Sequence, residues 1–233
     1  NHINTVIGHY KGKIFAWDVA NEIIMCSESG LRNRNATNNP SADYSIWSDN
    51  NTDDSLIRKA FIYAHAADPD AKLFINDNNN YDGGETVYSG WNKMQADLLY
   101  NYVKSWKEND IPVHGVGMQL HIDAEYPPDY TMIENDIIRY GALGLEVHFT
   151  EIDVRIKNPA DATKTGKQIA VYQKLAELTA KYPQIVTAFV TWGATDRYSW
   201  IPSYFSGYGS ALLFDDNYNP KGAYTSVAGI LGL

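Results

Sequence analysis

Apolar positions along this chain follow two alternating rhythms. Ile3, Val6, Ile7 and Tyr10 have the three-and-four spacing of one helical face, and Gly12 follows as a stop. The next run, Ile14-Phe15-Ala16-Trp17-Asp18-Val19, is the near-continuous kind expected of a buried strand, and it leads within three residues to Asn21 and Glu22. Residues 23–52 form a long polar connection rich in Asn and Ser. A helix is predicted from Thr52 or Asp53 to His65, with Leu56, Ile57, Ala60, Phe61 and Ala64 on its apolar face and Asp68-Pro69 ending it. Residues 72–76 read as a strand and 77–84 as a polar loop. The order then repeats: helix 91–107, strand 115–120, helix 129–141, strand 145–150 with Glu151 just beyond, helix 165–181, strand 185–191 with Trp192 just beyond, and a last helix over 221–230.

Strands alternating with helices predict parallel strands covered by helices, either an open doubly wound sheet or part of a (β/α)8 TIM barrel. No GxGxxG or Walker loop follows any strand, which counts against a nucleotide-binding sheet. The residues able to do chemistry gather at the carboxyl ends of different strands, as barrel enzymes arrange theirs. The barrel is therefore the expected fold, with residues 1–233 as one portion of a single domain.

Composition narrows the function more than the fold. A net charge of −9 with no Lys/Arg cluster argues against a nucleic-acid partner, whose affinity comes mostly from basic contacts. No apolar run is long enough to span a bilayer, so no membrane partner is expected. Cys26 is the only cysteine, so no intrachain disulfide can form, and an oxidising compartment is neither required nor excluded. The 17 Tyr and 6 Trp suit stacking on flat sugar faces, but they equally suit a large core. The run from Asp77 to Gly83 has a faint likeness to a calcium loop. Its third ligand position falls on Tyr81 and the closing Glu is missing, so no metal or other cofactor is expected. Two glycosylation sequons, beginning at Asn35 and Asn50, are too short a pattern to carry weight.

The candidate chemistry centres on two acids. A strand cannot bury Glu cheaply, so Glu22 is expected at its strand's mouth, and Glu151 follows another strand in the same way. A single such Glu is more often a surface acid. A pair facing one cavity is what glycosidic cleavage needs: one protonates the leaving oxygen and the other attacks or activates water. Gln119 and His121 are read as alternating on one strand and pointing to one side, with Glu151 and Asp153 doing likewise. A His between two carboxylates donates from both ring nitrogens and holds Glu151 ionised. Trp192 and Trp200 bracket Asp196-Arg197-Tyr198 and offer flat walls for a sugar, or simply a packed aromatic corner.

These residues carry a resemblance. Residues 17–22, 115–121, 149–154 and 191–200, with Leu213-Phe214-Asp215 and Asn219-Pro220-Lys221 near the end, resemble glycoside hydrolase family 10, the endo-β-1,4-xylanases, in order and spacing. The resemblance implies retaining hydrolysis of xylan or xylo-oligosaccharides within a (β/α)8 barrel, in a secreted, cell-surface or periplasmic enzyme. Glu22 matches the family's acid/base and Glu151 its nucleophile. Asn21 matches the amide that holds the 2-hydroxyl of the cleaved sugar, and His121 the nucleophile's partner, oriented by Asp153. Gln119 would lie beside that sugar, and Trp192 and Trp200 would cover it.

The chain also departs from the pattern. Asn78 stands where an aromatic residue is usual, with Tyr81 as a nearby substitute. Leu120 replaces a usual Gly, and the 23–52 connection is long for the family. The resemblance begins near the third helix, so this chain would supply about the last five βα units. An amino-terminal fragment of the same barrel is then expected as a partner, either a separate chain or a piece cut at a long insertion, for which a carbohydrate-binding module is one candidate. The competing readings are a non-catalytic xylan-binding relative and an inactive barrel fragment.

Overall fold

The computed structural model describes residues 1–24, 30–32, 53–78 and 89–233. Most of the 23–52 connection, both sequons, Tyr81 and the 77–83 run beyond Asn78 lie outside the described residues.

Helix α1 (His2–His9) turns Ile7 into the core, and β1 (Ala16–Asn21) follows. Helix α2 (Ser55–Ala67) buries Ile57, Ala60, Phe61 and Ala64, which share one face by helical spacing. Asp54 occupies its cap position, while the neighbouring Asp53 carboxylate accepts from the Ser55 amide at 3.1 Å. Strand β2 (Lys72–Asp77) is buried at every position after Lys72. That is why its apolar run is continuous: helices cover one side and the barrel interior the other. Then come α3 (Ser89–Glu108), β3 (Gly115–Met118), β4 (His121–Asp123), α4 (Tyr130–Ala142) and β5 (Glu146–Lys157). The chain continues through α5 (Ala162–Lys181), β6 (Val186–Thr191), a 3-10 turn (Asp196–Tyr198), the short α6 (Ile201–Tyr204), β7 (Tyr208–Gly209) and α7 (Gly222–Leu231). Asp129 and Asp161 cap α4 and α5 by accepting from backbone amides in their first turns, and Gly232 closes α7 in the left-handed conformation.

Strands β1, β2, β3, β5 and β6 run parallel in that spatial order. The upper half of β5 pairs with β4 on one side and, antiparallel, with β7. Leu73, Phe74, Ile75, Val116, Met118, Val147, Phe149 and Val154 have no exposed surface and form the centre of the core. The arrangement is an arc of a (β/α)8 barrel. Its two ends, β1 and β6, each pair with one neighbour among the described residues. Beside them Phe15 is 73% exposed and Val190 48%.

Two irregularities decide where side chains point. Against β2, strand β1 carries an extra residue between Asp18 and Ala20. Against β6, strand β5 carries one between Phe149 and Ile152. Such bulges bend a strand and re-aim its side chains, and here one lies just ahead of Glu22 and the other at Glu151. Glu151 is not beyond its strand, as the sequence suggested, but within β5, where the strand runs on to Lys157. A third irregularity corrects the sequence reading. Gln119 and His121 do not share a strand: β3 ends at Met118, Leu120 takes φ 62, and β4 starts at His121.

Candidate active site

The carboxyl ends of the strands converge on one group of polar side chains. Glu22 directly follows β1 and adopts φ 52, a left-handed conformation that is uncommon outside glycine and is held here by its surroundings. Its backbone amide donates to the Asn76 carbonyl at 2.8 Å. Beyond it, Ile24 forms an antiparallel bridge with Leu31. The bridge returns Arg32 beneath the acid: its guanidinium lies 3.4 Å from the Glu22 carboxylate, and its Nε donates to the Ile24 carbonyl at 3.1 Å. Buried Asp77 fastens the same segment by accepting from the Ile24 amide at 3.1 Å. Burial pushes the Asp77 carboxyl up to about 7, against the pull of the Ile24 and Asn78 amides and the charge of Arg32.

Glu151 is 8% exposed and both its oxygens are engaged. The Asn76 Nδ2 donates to Oε1 at 2.7 Å, and His121 Nε2 lies 3.2 Å from Oε2. The other imidazole nitrogen, Nδ1, is 2.9 Å from Asp153 Oδ2, and the same oxygen accepts from Trp200 Nε1 at 2.7 Å. Burial alone would lower the pKa of His121. The hydrogen bonds and charges of Asp153 and Glu151 outweigh it and raise the value to about 9. At neutral pH the ring is therefore an imidazolium, donating to both carboxylates.

Amides join the two acids. Gln119 Nε2 donates to Glu22 Oε1 at 3.0 Å and to Asn21 Oδ1 at 3.2 Å. Asn76 Nδ2 donates to Asn21 Oδ1 at 2.8 Å as well as to Glu151. Asn21 thus spends its oxygen on two protein donors, which leaves its own N–H groups for a ligand. Asn76 is fixed in turn by the Thr150 hydroxyl, which donates to its Oδ1 at 2.7 Å. Trp200 stands edge-on to the His121 ring at 5.1 Å between centroids, and Trp192 at 6.3 Å, with Trp192 48% exposed.

The sequence-derived residues Asn21, Glu22, Gln119, His121, Glu151, Asp153, Trp192 and Trp200 thus share one locality. Asn76 and Arg32 belong with them and were not singled out. Asn76 had a readable signal: an amide closing an otherwise apolar strand is costly to bury without partners. Gly117 is a quieter member. A Cβ placed there would sit 2.2 Å from Asn76 Oδ1 and 2.9 Å from Thr150 Cγ2, so only hydrogen fits. Among the described residues, no cluster of three or more His, Cys, Asp or Glu side chains could hold a metal ion.

A parallel β/α barrel with paired acids at its strand mouths is a glycoside-hydrolase architecture, and comparison with known proteins gives the family. Residues 1–230 match the model for glycosyl hydrolase family 10, and the chain belongs to that family. It is 35% identical over 228 residues to endo-1,4-beta-xylanase B of Thermotoga neapolitana, covering 97% of this chain and 59% of that protein. To the beta-1,4-xylanase of Dictyoglomus thermophilum it is 35% identical over 240 residues, covering 97% and 61%. The crystal structure of xylanase 10B from Thermotoga petrophila in complex with xylobiose superposes with a TM-score of 0.84 at 35% identity, over 99% of this chain and 64% of that one. The chain thus spans about three fifths of the length of these relatives.

Proposed function

We propose that this chain is the carboxyl-terminal part of the catalytic domain of an endo-1,4-β-xylanase, which cleaves internal β-1,4-xylosidic bonds with retention. The observation that carries the reading is the unequal support of two acids, Glu22 and Glu151, within one hydrogen-bonded network. Glu151 receives Asn76 on one oxygen and the His121 imidazolium on the other, which suits a group that must stay ionised to attack. Glu22 is more open, with its side chain 35% exposed, and so can pass a proton to and from the cleft.

In the first step Glu151 attacks the anomeric carbon as Glu22 protonates the departing oxygen, breaking the glycosidic bond and leaving a glycosyl ester on Glu151. In the second, Glu22 takes a proton from water as that water displaces Glu151. The Asn21 N–H groups hold the 2-hydroxyl of the sugar at the reacting carbon, Gln119 lies beside it, and Trp192 and Trp200 cover it. The relatives' names and the xylobiose complex support xylan and xylo-oligosaccharides as the substrate class. A polysaccharide substrate would be met outside the cytoplasm, and a secreted or surface location follows from that reading.

The barrel needs strands on the free sides of β1 and β6, and we infer that an amino-terminal portion of the same enzyme supplies them and is required for activity. Its support is the incomplete coverage of the relatives together with the two sheet ends. The test is Glu151→Gln in the protein that carries this chain. We expect turnover to fall by at least about 10⁴-fold while xylo-oligosaccharide binding persists, and the unaltered protein to release product with retained configuration. Activity retained by the variant would remove the nucleophile. Xylan bound without turnover by the unaltered protein would favour the non-catalytic reading.

A further inference from the structure

A second concavity, of about 270 Å³, lies at the upper end of β5. Its walls are the turn after β4, the end of β5, the first turns of α5 and β7, and it holds Lys157, Lys164 and Lys167 beside Tyr126 and Tyr208. Asp123 and Glu125 line it too, so the lining carries three ammonium groups against two carboxylates, in a chain of net charge −9.

The carboxylates nearby are already engaged. Asp123 accepts from the Glu125 amide at 3.0 Å and pairs with Arg155 at 3.3 Å. Glu125 pairs with Lys167 at 2.6 Å, and Asp161 with Lys164 at 3.1 Å. Among the described residues Lys157 has no acidic partner. Tyr126, 38% exposed, and Tyr208 line the hollow, and the Arg155 guanidinium lies 5.8 Å from the centre of the Tyr208 ring.

The hollow is connected to the active site. The Arg155 guanidinium sits 4.3 Å over the Phe205 ring, and Phe205 lies 5.6 Å from Trp200, the residue that binds Asp153. Tyr204, 72% exposed, packs 5.0 Å from the same Trp200. An aromatic ridge therefore runs from the site to the cationic pocket.

We propose that this pocket binds a sugar acid, with Lys157 and Lys164 taking the carboxylate and Tyr126 and Tyr208 the ring. Ammonium groups pair with a carboxylate through charge-assisted hydrogen bonds, and aromatic faces match the apolar face of a pyranose. The ligand is either a free hexuronate or a hexuronate side group on a polysaccharide lying along the ridge. Only the second source rests on the xylanase reading.

The test is titration of the protein with glucuronate and, as a neutral control, glucose. Kinetics on a xylo-oligosaccharide with and without a glucuronic acid side group run in parallel, all repeated with Lys157→Gln/Lys164→Gln. Lys157 is exposed, whereas Lys164 is partly buried and also donates to the Pro159 carbonyl at 2.7 Å, so Lys157→Gln alone is measured beside the double variant and circular dichroism checks that both fold. Saturable binding of glucuronate but not glucose, weakened about tenfold or more in the variant and by salt, supports the pocket. No saturable glucuronate binding, or binding that the variant leaves unchanged, overturns it. Given lysine-dependent binding, a variant that loses kcat/KM only on the acid-substituted oligosaccharide identifies the polymer as the source; unchanged kinetics identify the free acid. If the unaltered protein hydrolyses neither oligosaccharide, the xylanase reading fails while the glucuronate titration still decides the pocket.

Discussion

Replacing Asp153 by asparagine removes one negative charge from the centre of the site while keeping the shape of the side chain. Asp153 has no exposed surface, and one of its oxygens takes both His121 Nδ1 at 2.9 Å and Trp200 Nε1 at 2.7 Å. His121 is held protonated to about 9 in the fold, against 6.5 for an ordinary imidazole. A difference of that size corresponds to about 3 kcal/mol, shared between Asp153 and Glu151. Asp153 makes the shorter contact and is the more buried, so it is the larger source of the two. In the Asn variant the His121 pKa should therefore fall back toward the ordinary imidazole value. Because the folded value is raised, the stabilisation by His121 is fully present below pH 6.5 and is lost as pH rises through about 9. The variant should lose it at lower pH and should also be weaker at pH 6 by about 2–4 kcal/mol, since the partly buried imidazolium loses one of its two carboxylate partners. Urea unfolding from pH 5.5 to 10, with the His121 ring followed by NMR, measures both effects. An alkaline limb that stays at the same pH in the variant would refute the assignment of Asp153 as the main source of the imidazolium.

Two backbone positions make further predictions. Gly117→Ala should drive a methyl group onto Asn76 and Thr150, with contacts of 2.2 and 2.9 Å to be relieved. We expect a loss of about 1–3 kcal/mol in stability and a kcat loss larger than the KM change, because Asn76 holds Glu151; unchanged kcat/KM would separate Asn76 from the chemistry. Leu120→Gly sets two terms against each other, since Leu120 is 4% exposed yet sits at φ 62. Relief of the left-handed conformation returns about 1–2 kcal/mol, whereas emptying a buried leucine site costs about 3–5 kcal/mol. Chemical denaturation should show a net loss of about 1–4 kcal/mol, and a gain would mean that backbone strain outweighs packing there.

The elements were legible because each buries its face in one way. The run from Leu73 to Ile75 is continuous because β2 is covered on both sides, and Ile57, Ala60, Phe61 and Ala64 recur at helical spacing because α2 is covered on one. Glu22 was legible by type and place, since Glu immediately after an apolar strand has few ways to be accommodated other than at its mouth, whereas Glu151 was legible by type alone, because β5 continues past it to Lys157. One group of details that failed to show breaks the period-two rule on which strand reading rests. Bulges in β1 and β5 and the kink at Leu120 cannot be written in a pattern of apolar and polar letters, because each inserts or turns one residue without changing its type. Asn76 and Arg32 escaped for another reason: their partners lie across strands or beyond a bridge, and nothing in one segment specifies who will meet an amide or a guanidinium. Leu120 shows how the two levels collide. Its backbone asks for glycine and its burial asks for leucine, and the chain accepts a strained leucine while Gln119 and His121, on either side of it, still reach Glu22 and Glu151. A residue that violates a local preference between two site residues is itself a pointer to the site, and it is one that a sequence pattern alone presents as an ordinary core leucine.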